Sequence, residues 1–316
     1  MHPLPLKKNV ATRLEGRVHV DSAWTANGVT QQFLDNAETY HNRYMYNDRW
    51  KHFVQQAFEI AKIDTTSTLN VLDIGSGSGG TVFAAIDLLP NSVIYASDIS
   101  PQLLKILVNL QERLPHLEGR IEAYCFDLHK DFFADETFDL VIGGSILHHM
   151  LDPHAALKNA ARWLKPGGKI ILFEPLEVGG HFMASIYLTL LAELENEIDP
   201  KIWQHFKAMC HDYEARFGIP RVKPWTSALD DKWLFHPAYL KDLARGIGLT
   251  FELIDPMYTN PKTIFKDSIR ITLDCAGLKD IPIPKKMLDI IDQFDSGVSD
   301  SLKTKFTSEG IIVLKK

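Results

Sequence analysis

Alternating glycines follow a single carboxylate at one point of the chain. Asp73 stands two positions before Gly75, and Ser76 and Gly77 come next. Glycine is required where the backbone turns with a positive φ, or where a Cβ would collide with a ligand lying on the loop. This turn therefore predicts a binding site for a flat, nucleoside-like ligand.

Two further carboxylates end the next two predicted strands. Asp98 ends the second strand, where an acidic side chain can accept hydrogen bonds from both hydroxyls of a ribose. Asp127 follows the third strand and can accept a hydrogen bond from an adenine amino group. Ile99 and Leu128 stand beside them and offer apolar surfaces to the two ring faces. Three carboxylates are thus expected along one edge of the sheet, as a nucleoside site needs.

Short apolar runs alternate with helical patterns around these carboxylates. The predicted strands are residues 69–74, 92–97, 120–126, 138–143, 169–174, 249–254 and 310–315. Ser100-Pro101 and Asp152-Pro153 are typical helix starts. Such alternation requires crossovers between parallel strands. We expect an α/β, Rossmann-like fold with a seven-stranded, mostly parallel sheet and helices on both faces.

The chain is predicted to divide into four parts. They are an N-terminal helical cap segment (1–68), the cofactor-binding core (69–175), a helical lid insertion (176–235) and the remainder of the core (236–316), with an extra segment at 257–308. The extra segment replaces what would otherwise be a short link between the last two strands.

The two segments outside the core carry helical patterns. Helices are predicted near residues 29–46 and 49–62, and Ile186, Leu190 and Leu194 share one helical face in the insertion. We favour a lid over an apolar acceptor as the use of this face. A dimer interface and an enlarged core are the alternatives.

In their order along the chain, these motifs resemble those of the class I S-adenosylmethionine-dependent methyltransferases. The glycine-rich motif of that family matches residues 73–79, its ribose acid matches Asp98 and its adenine-contacting acid matches Asp127. The resemblance implies S-adenosylmethionine as the cofactor, with Ser145 also beside it. Related enzymes often close this site with N-terminal helical residues, for which we select Tyr40.

Two later stretches extend the resemblance to the small-molecule branch of the family. They are residues 138–150, which include a Leu-His-His sequence, and residues 164–175, which include a Lys-Pro-Gly-Gly turn. The glycines alone would also fit a nicotinamide dinucleotide, but a carboxylate at Asp73 would repel its pyrophosphate. A nicotinamide-dependent oxidoreductase and a noncatalytic binding module of the same fold are the alternative functions.

Three residues are candidates for catalysis. Methyl transfer from a sulfonium is an in-line displacement, which correct alignment alone accelerates strongly, but hydroxyls and ammonium groups must also lose a proton. His148 and His149 follow the fourth strand and Glu174 ends the fifth, at the edge where the methyl group should project. Helix capping and packing are the alternatives for these residues. The expected activity is methyl transfer to an oxygen or nitrogen of a small, partly apolar metabolite or natural product.

Composition limits the partners of the chain. A net charge of -6 and a pI near 6.1 disfavour nucleic acid, which needs a basic surface. The 3 cysteines have no metal-binding spacing, and no metal is expected. No apolar stretch approaches the ~18 residues of a membrane span. We therefore expect a cytoplasmic protein with a small-molecule substrate, and a homodimer is compatible with the sequence.

Overall fold

The computed structural model describes residues 5–26, 29, 31–44, 49–216, 231–257 and 260–316. The strands in these ranges are β1 (Thr12–Glu15), β2 (Val18–Asp21), β3 (Asn70–Ile74), β4 (Val93–Asp98), β5 (Ile121–Cys125), β6 (Phe138–Gly144), β7 (Leu164–Pro175), β8 (Thr250–Pro256) and β9 (Glu309–Lys315). They form one sheet with the order β1-β2-β5-β4-β3-β6-β7-β9-β8.

The strands from β3 to β9 form the predicted seven-stranded sheet. The five from β3 to β7 pair in parallel with their neighbours, and β9 lies antiparallel between β7 and β8. The α/β, Rossmann-like prediction is confirmed. Because the carboxyl ends of β3, β4, β5 and β6 reach the same edge, the loops that follow them lie side by side.

An N-terminal hairpin adds two strands where the sequence analysis expected helix. Glu15 pairs with Val18 across a two-residue turn, in which Gly16 has a φ of 65°. The fully buried Val18 and Val20 of β2 pair in parallel with β5. The alternation of apolar and polar residues in β2 is a strand signal, and a glycine turn before it marks a hairpin.

Helices cover both faces of the sheet. They are α1 (Gln31–Leu34), α2 (Ala37–Tyr44), α3 (Arg49–Ile60), α4 (Gly80–Leu88), α5 (Pro101–Glu112), α6 (Pro153–Trp163), α7 (Glu177–Glu193), α8 (Pro200–Arg216), α9 (Pro237–Gly246), α10 (Ile264–Cys275), α11 (Lys285–Gly297) and α12 (Asp300–Lys303), with short 3-10 helices at Pro115–Leu117 and Leu147–His149. The helix predicted near 29–46 is split into α1 and α2, and residues 30, 45 and 46 lie outside the described ranges.

Two hydrophobic clusters lie on opposite faces of the sheet. Successive side chains of β3 point to opposite faces, so that Val71 belongs to one cluster and Leu72 to the other. Both side chains are fully buried. Strands that are buried on both faces read as continuous apolar runs, which is why these strands could be found from the sequence.

A third cluster joins the insertion to the extra segment near the C terminus. Ile186 and Leu190 of α7 and Phe206 of α8 pack in one core with Phe265 of α10 and Ile291 of α11. The described residues of these two predicted parts thus form one helical layer. Residues 217–230 of the insertion and 258–259 of the extra segment are not among the described residues. The four-part division itself stays a prediction.

Candidate active site

The loop after β3 has a backbone conformation that glycine adopts without strain. Gly75 has a φ of 67° and Gly77 a φ of 52°. A Cβ at Gly75 would lie 2.3 Å from Cγ1 of Ile146, whereas the nearest atom to a Cβ at Gly77 is Cε1 of Tyr40, 4.0 Å away. The loop therefore offers bare backbone on the side that faces Tyr40.

Asp73 is fully buried beneath this loop. Neither of its carboxylate oxygens forms a hydrogen bond of good geometry with a described residue. Burial raises the pKa of Asp73 to about 7, against the weaker and opposite effect of the Thr81 and Ser76 hydroxyls. A buried carboxylate without a partner is costly, and a cationic ligand nearby would stabilise its ionised form.

Asp98 links the end of β4 to the glycine-rich loop. Its Oδ2 accepts a hydrogen bond from the Gly77 N–H at 2.8 Å, and its Oδ1 accepts one from the Ser100 N–H at 2.8 Å. Burial raises the pKa of Asp98 to about 6. Since each carboxylate oxygen has two lone pairs, Asp98 keeps acceptor capacity for two hydroxyls. The Ile99 carbonyl beside it accepts a hydrogen bond from Nε1 of Trp24 at 2.8 Å.

Asp127 reaches the same sheet edge but interacts with a neighbour in sequence. Its Oδ1 lies 2.7 Å from Nδ1 of His129 and accepts the His129 N–H at 3.0 Å. The His129 side-chain hydrogen bond lowers the pKa of Asp127, although partial burial opposes it. Its side chain is 40% exposed. Leu128 is buried, and its carbonyl accepts a hydrogen bond from Asn159.

A cavity of about 520 Å³ opens beside the glycine-rich loop. It brings together eight of the predicted site residues, namely Tyr40, Gly75, Ser76, Gly77, Ser145, His148, His149 and Glu174. The predicted residues outside its wall are Asp73, Asp98, Ile99, Asp127 and Leu128. The cavity thus extends from the loop towards the histidines rather than towards Asp127.

The remainder of the wall is mixed, with charged side chains at Arg49, Asp212, Arg216, Asp231 and Glu309. Its aromatic and apolar side chains include Phe33, Tyr44, Trp50, Tyr187, Met209 and Tyr213. They come from the N-terminal segment and from the helical layer, so both extra parts of the chain cover the same space. A hydrogen bond of 2.9 Å between Nδ1 of His41 and the Ser78 hydroxyl holds α2 against the loop.

Ser145 turns the chain at the end of β6. Its φ of 55° lies in the left-handed region, which is strained for a residue with a side chain. Its N–H donates to the Phe173 carbonyl at 2.9 Å, which fixes the turn against β7. The two histidines follow this turn and line the cavity.

Glu174 organises the same turn from the end of β7. Its Oε1 accepts hydrogen bonds from the Ile146 N–H at 3.0 Å and the Leu147 N–H at 2.7 Å. Its Oε2 lies 2.7 Å from Nδ1 of His148. Burial lowers the pKa of His148, but the carboxylates of Glu174 and Asp231 together outweigh this effect, and the pKa is raised. Oε2 also accepts the His148 N–H at 3.3 Å, so each oxygen of Glu174 already has two partners, and we interpret Glu174 as a residue that positions His148.

Asp231 joins this group and was not found in the sequence analysis. Its Oδ1 lies 3.6 Å from Nε2 of His148 and 3.3 Å from Nδ1 of His149. The N–H groups of Lys232 and Trp233 donate to the His148 carbonyl at 2.6 and 3.2 Å, which holds Asp231 next to the histidines. A lone aspartate so far along the chain carries no local signal, and only the tertiary structure places it here.

The central part of the chain matches a known family. Residues 72–170 match the family model described as a methyltransferase domain. Over 115 residues, 35% of this chain, the sequence is 35% identical to a ubiquinone biosynthesis O-methyltransferase of Xanthomonas oryzae pv. oryzae, of which it covers 45%. Over 138 residues, 40% of this chain, it is 28% identical to squalestatin tetraketide synthase of Phoma sp., of which it covers 5%.

The fold as a whole has a counterpart among solved structures. The [4+2]-cyclase SpnF is 16% identical, with a TM-score of 0.51 that covers 84% of this chain and 80% of that chain. The two sequence relatives are matched over less than half of their own length. Among the described residues, no helix is both long enough and apolar enough to cross a bilayer.

Proposed function

We propose that this protein is an S-adenosylmethionine-dependent methyltransferase that methylates an oxygen or nitrogen atom of a small, partly apolar metabolite or natural product. The match of residues 72–170 to the model of a methyltransferase domain supports this. The observation that carries the proposal is that one cavity is bounded by the glycine-rich loop at one end and by His148 and His149 at the other. A methyl donor and its acceptor must meet in such a space.

The residues at the loop end fit the cofactor of that family. S-adenosylmethionine supplies a methyl group that is activated by a positively charged sulfonium. The buried carboxyl of Asp73, without a well-aligned partner among the described residues, suits a cationic ligand. The open backbone at Gly77 gives the ligand room, and Asp98 has acceptor capacity for a ribose. We assign these three residues to cofactor binding.

The opposite end of the cavity suits an acceptor with an apolar body and one polar group. Aromatic walls such as Tyr187 and Tyr213 would contact the apolar body, while His148 and His149 would face the polar atom that loses a proton. Glu174 would act through His148 as a positioning residue. One relative is by name an O-methyltransferase and another a tetraketide synthase, which supports an oxygen acceptor and a natural product.

Calorimetric titration tests the cofactor. The protein is titrated with S-adenosylhomocysteine and, in a separate experiment, with NAD+ and NADH. We expect binding of S-adenosylhomocysteine with a 1:1 stoichiometry and no heat from either nicotinamide. Binding of NAD+ or NADH without binding of S-adenosylhomocysteine would overturn the proposal in favour of an oxidoreductase.

Turnover tests the acceptor. Release of S-adenosylhomocysteine is followed with phenols, catechols, aliphatic alcohols, amines and β-keto thioesters as candidate acceptors. Methylation of a hydroxyl or amine supports the proposal. Methylation of the β-keto thioesters alone would place the new bond on carbon, and cofactor binding without turnover of any acceptor class would indicate a noncatalytic module.

A further inference from the structure

Three side chains at the acceptor end direct ligand atoms to a common point. One ligand atom each from His148, His149 and Asp231 lies within 4.8 Å of the other two. Both histidine contacts are made to the same oxygen, Oδ1 of Asp231, at 3.6 and 3.3 Å. Ligands that bind a metal at about 2.0 to 2.2 Å are themselves about 3 to 3.5 Å apart. The two distances to Asp231 are close to this range, and the three ligand atoms would have to draw together from within 4.8 Å to surround an ion.

Glu174 supports this arrangement from behind. Because Nδ1 of His148 lies 2.7 Å from Oε2 of Glu174, Nδ1 carries a proton, and Nε2 is the nitrogen that faces Asp231 and would bind an ion once the imidazole is neutral. A histidine that binds a metal usually donates its other ring nitrogen to a carboxylate or carbonyl in this way. Glu174 is itself fixed by backbone N–H groups, so the imidazole is held in place before any ion binds.

Two cationic side chains, Arg216 and Lys232, act on Asp231 besides the two histidines. Arg216 contacts its other oxygen, Oδ2, at 4.0 Å and is also paired with Asp212. The positive charge of Arg216 is thus already balanced by a second carboxylate. The simpler explanation of the group is a network of ion pairs between Asp231 and two imidazoles, and titration with Co²⁺ separates this explanation from a metal site.

We propose that His148, His149 and Asp231 bind one divalent first-row transition-metal ion in this cavity. Two imidazoles and one carboxylate, with the remaining positions open, are a ligand set that suits such ions. The sequence did not predict this site, because its cysteines lack metal-binding spacing and its three ligands are far apart along the chain.

The role of the ion rests on the proposed function and narrows it to oxygen acceptors. An acceptor hydroxyl in an open position would have its pKa lowered by the ion and would release its proton to bulk water. The oxyanion would then form the new C–O bond as the C–S bond of the sulfonium breaks, leaving a neutral thioether and a methyl ether. Ammonium acceptors gain nothing from this site.

Binding of Co²⁺ and Zn²⁺ tests the site without reference to turnover. The protein is treated with a chelator, dialysed, and titrated with Co²⁺ while its visible d–d absorption is recorded, and then with competing Zn²⁺. We expect one equivalent of Co²⁺, with bands typical of mixed nitrogen and oxygen ligands. His149→Ala and Asp231→Asn should each weaken Co²⁺ binding by at least about 100-fold, since even the loss of an outer-shell partner costs 10 to 100-fold.

Two controls make the outcome decisive. His154 is exposed on α6, so His154→Ala should bind Co²⁺ as the parent protein does. Binding of S-adenosylhomocysteine by the same variants reports folding and the cofactor site. If S-adenosylhomocysteine binds normally but Co²⁺ does not bind in stoichiometric amount, the metal site is wrong and methyl transfer stands. If S-adenosylhomocysteine itself fails to bind the parent protein, the proposed function is wrong, whatever the metal result.

Discussion

The two ends of the cavity are built in different ways. At the loop end, Asp73 and Asp98 come from two neighbouring strands and Gly77 from the loop that follows β3. A hydrogen bond from the Gly77 N–H to Asp98 joins the loop after β3 to the end of β4. At the acceptor end, His148, Tyr213 and Asp231 come from three distant segments. The first end is a local backbone device, whereas the second depends on how helices and loops pack over the sheet. A change at one end should therefore leave the other largely intact.

Asp98→Ala should give the largest effect, a loss of cofactor affinity. The substitution removes the carboxylate assigned to the ribose and frees the Gly77 and Ser100 N–H groups. Loss of the two hydrogen bonds from the ribose hydroxyls to a charged carboxylate, at about 1.5 to 3 kcal/mol each, corresponds to a fall in affinity of about 100-fold or more. Calorimetry with S-adenosylhomocysteine measures this, and thermal melting checks that the variant is folded. Asp98→Asn keeps one acceptor oxygen, so its affinity should lie between those of the parent protein and Asp98→Ala. Unchanged affinity in Asp98→Ala would show that the assignment is wrong.

Glu174→Gln should give the next largest effect, at the opposite end. The amide NH2 must face at least one of the groups that now donate to the carboxylate, among them the Leu147 N–H and Nδ1 of His148. Loss of one hydrogen bond to a charged group predicts a fall in kcat of about 10 to 100-fold, with Kd for S-adenosylhomocysteine changed less than about threefold. Glu195→Gln, at an exposed position, is the matched control. An equal loss in kcat and in cofactor affinity would mean that the two ends are not separate.

The same contrast explains how far the sequence could predict the molecule. The five parallel strands could be found because strands such as β3 are buried on both faces and read as continuous apolar runs. Asp73, Gly75 and Asp98 could be selected because their roles depend on the backbone of short turns. The β1–β2 hairpin was missed, although Gly16 and the alternation of β2 marked it.

The acceptor end could be predicted only in part. His148, His149 and Glu174 were selected from their places at strand ends, and the structure brings them together. Asp231 reaches them because the N–H groups of Lys232 and Trp233 bind the His148 carbonyl, an interaction that no spacing in the sequence encodes. Side chains that meet only through tertiary packing leave no periodic or local signal.

Cofactor affinity should also depend on pH through Asp73. Burial raises the pKa of Asp73 to about 7, and Asp98 contributes in the same direction. Below that pH the carboxyl is protonated and offers no charge to a cationic ligand, so the affinity for S-adenosylmethionine should rise by up to about tenfold per pH unit as the pH approaches 7 and level off above it. In the free protein, the free energy of unfolding should fall as the pH rises from about 3.8, the ordinary pKa of an aspartate, to about 7, the raised pKa of Asp73. Over this range the folded state holds the proton more tightly than the unfolded chain does.

Titrations between pH 5.5 and 8 in buffers of different ionisation enthalpy measure this proton release. Asp73→Asn should flatten the profile and leave only the smaller contribution of Asp98, whose pKa is raised to about 6. A parent protein that binds S-adenosylmethionine equally at all these pH values would show that Asp73 does not respond to the charge of the ligand.

Asp127→Ala should give the smallest effect, although Asp127 was assigned to the same ligand as Asp98. Its side chain is 40% exposed and already interacts with His129, whose hydrogen bond holds the pKa of Asp127 below its ordinary value. Exposed pairs contribute about 0.2 to 1 kcal/mol, so the affinity for S-adenosylhomocysteine should fall by less than about fivefold. His129→Ala sharpens the comparison, because it releases the carboxylate and should tighten binding slightly if adenine competes for it. If Asp127→Ala lost as much affinity as Asp98→Ala, the two carboxylates would contribute equally to cofactor binding. The difference in their burial would then not predict their contributions.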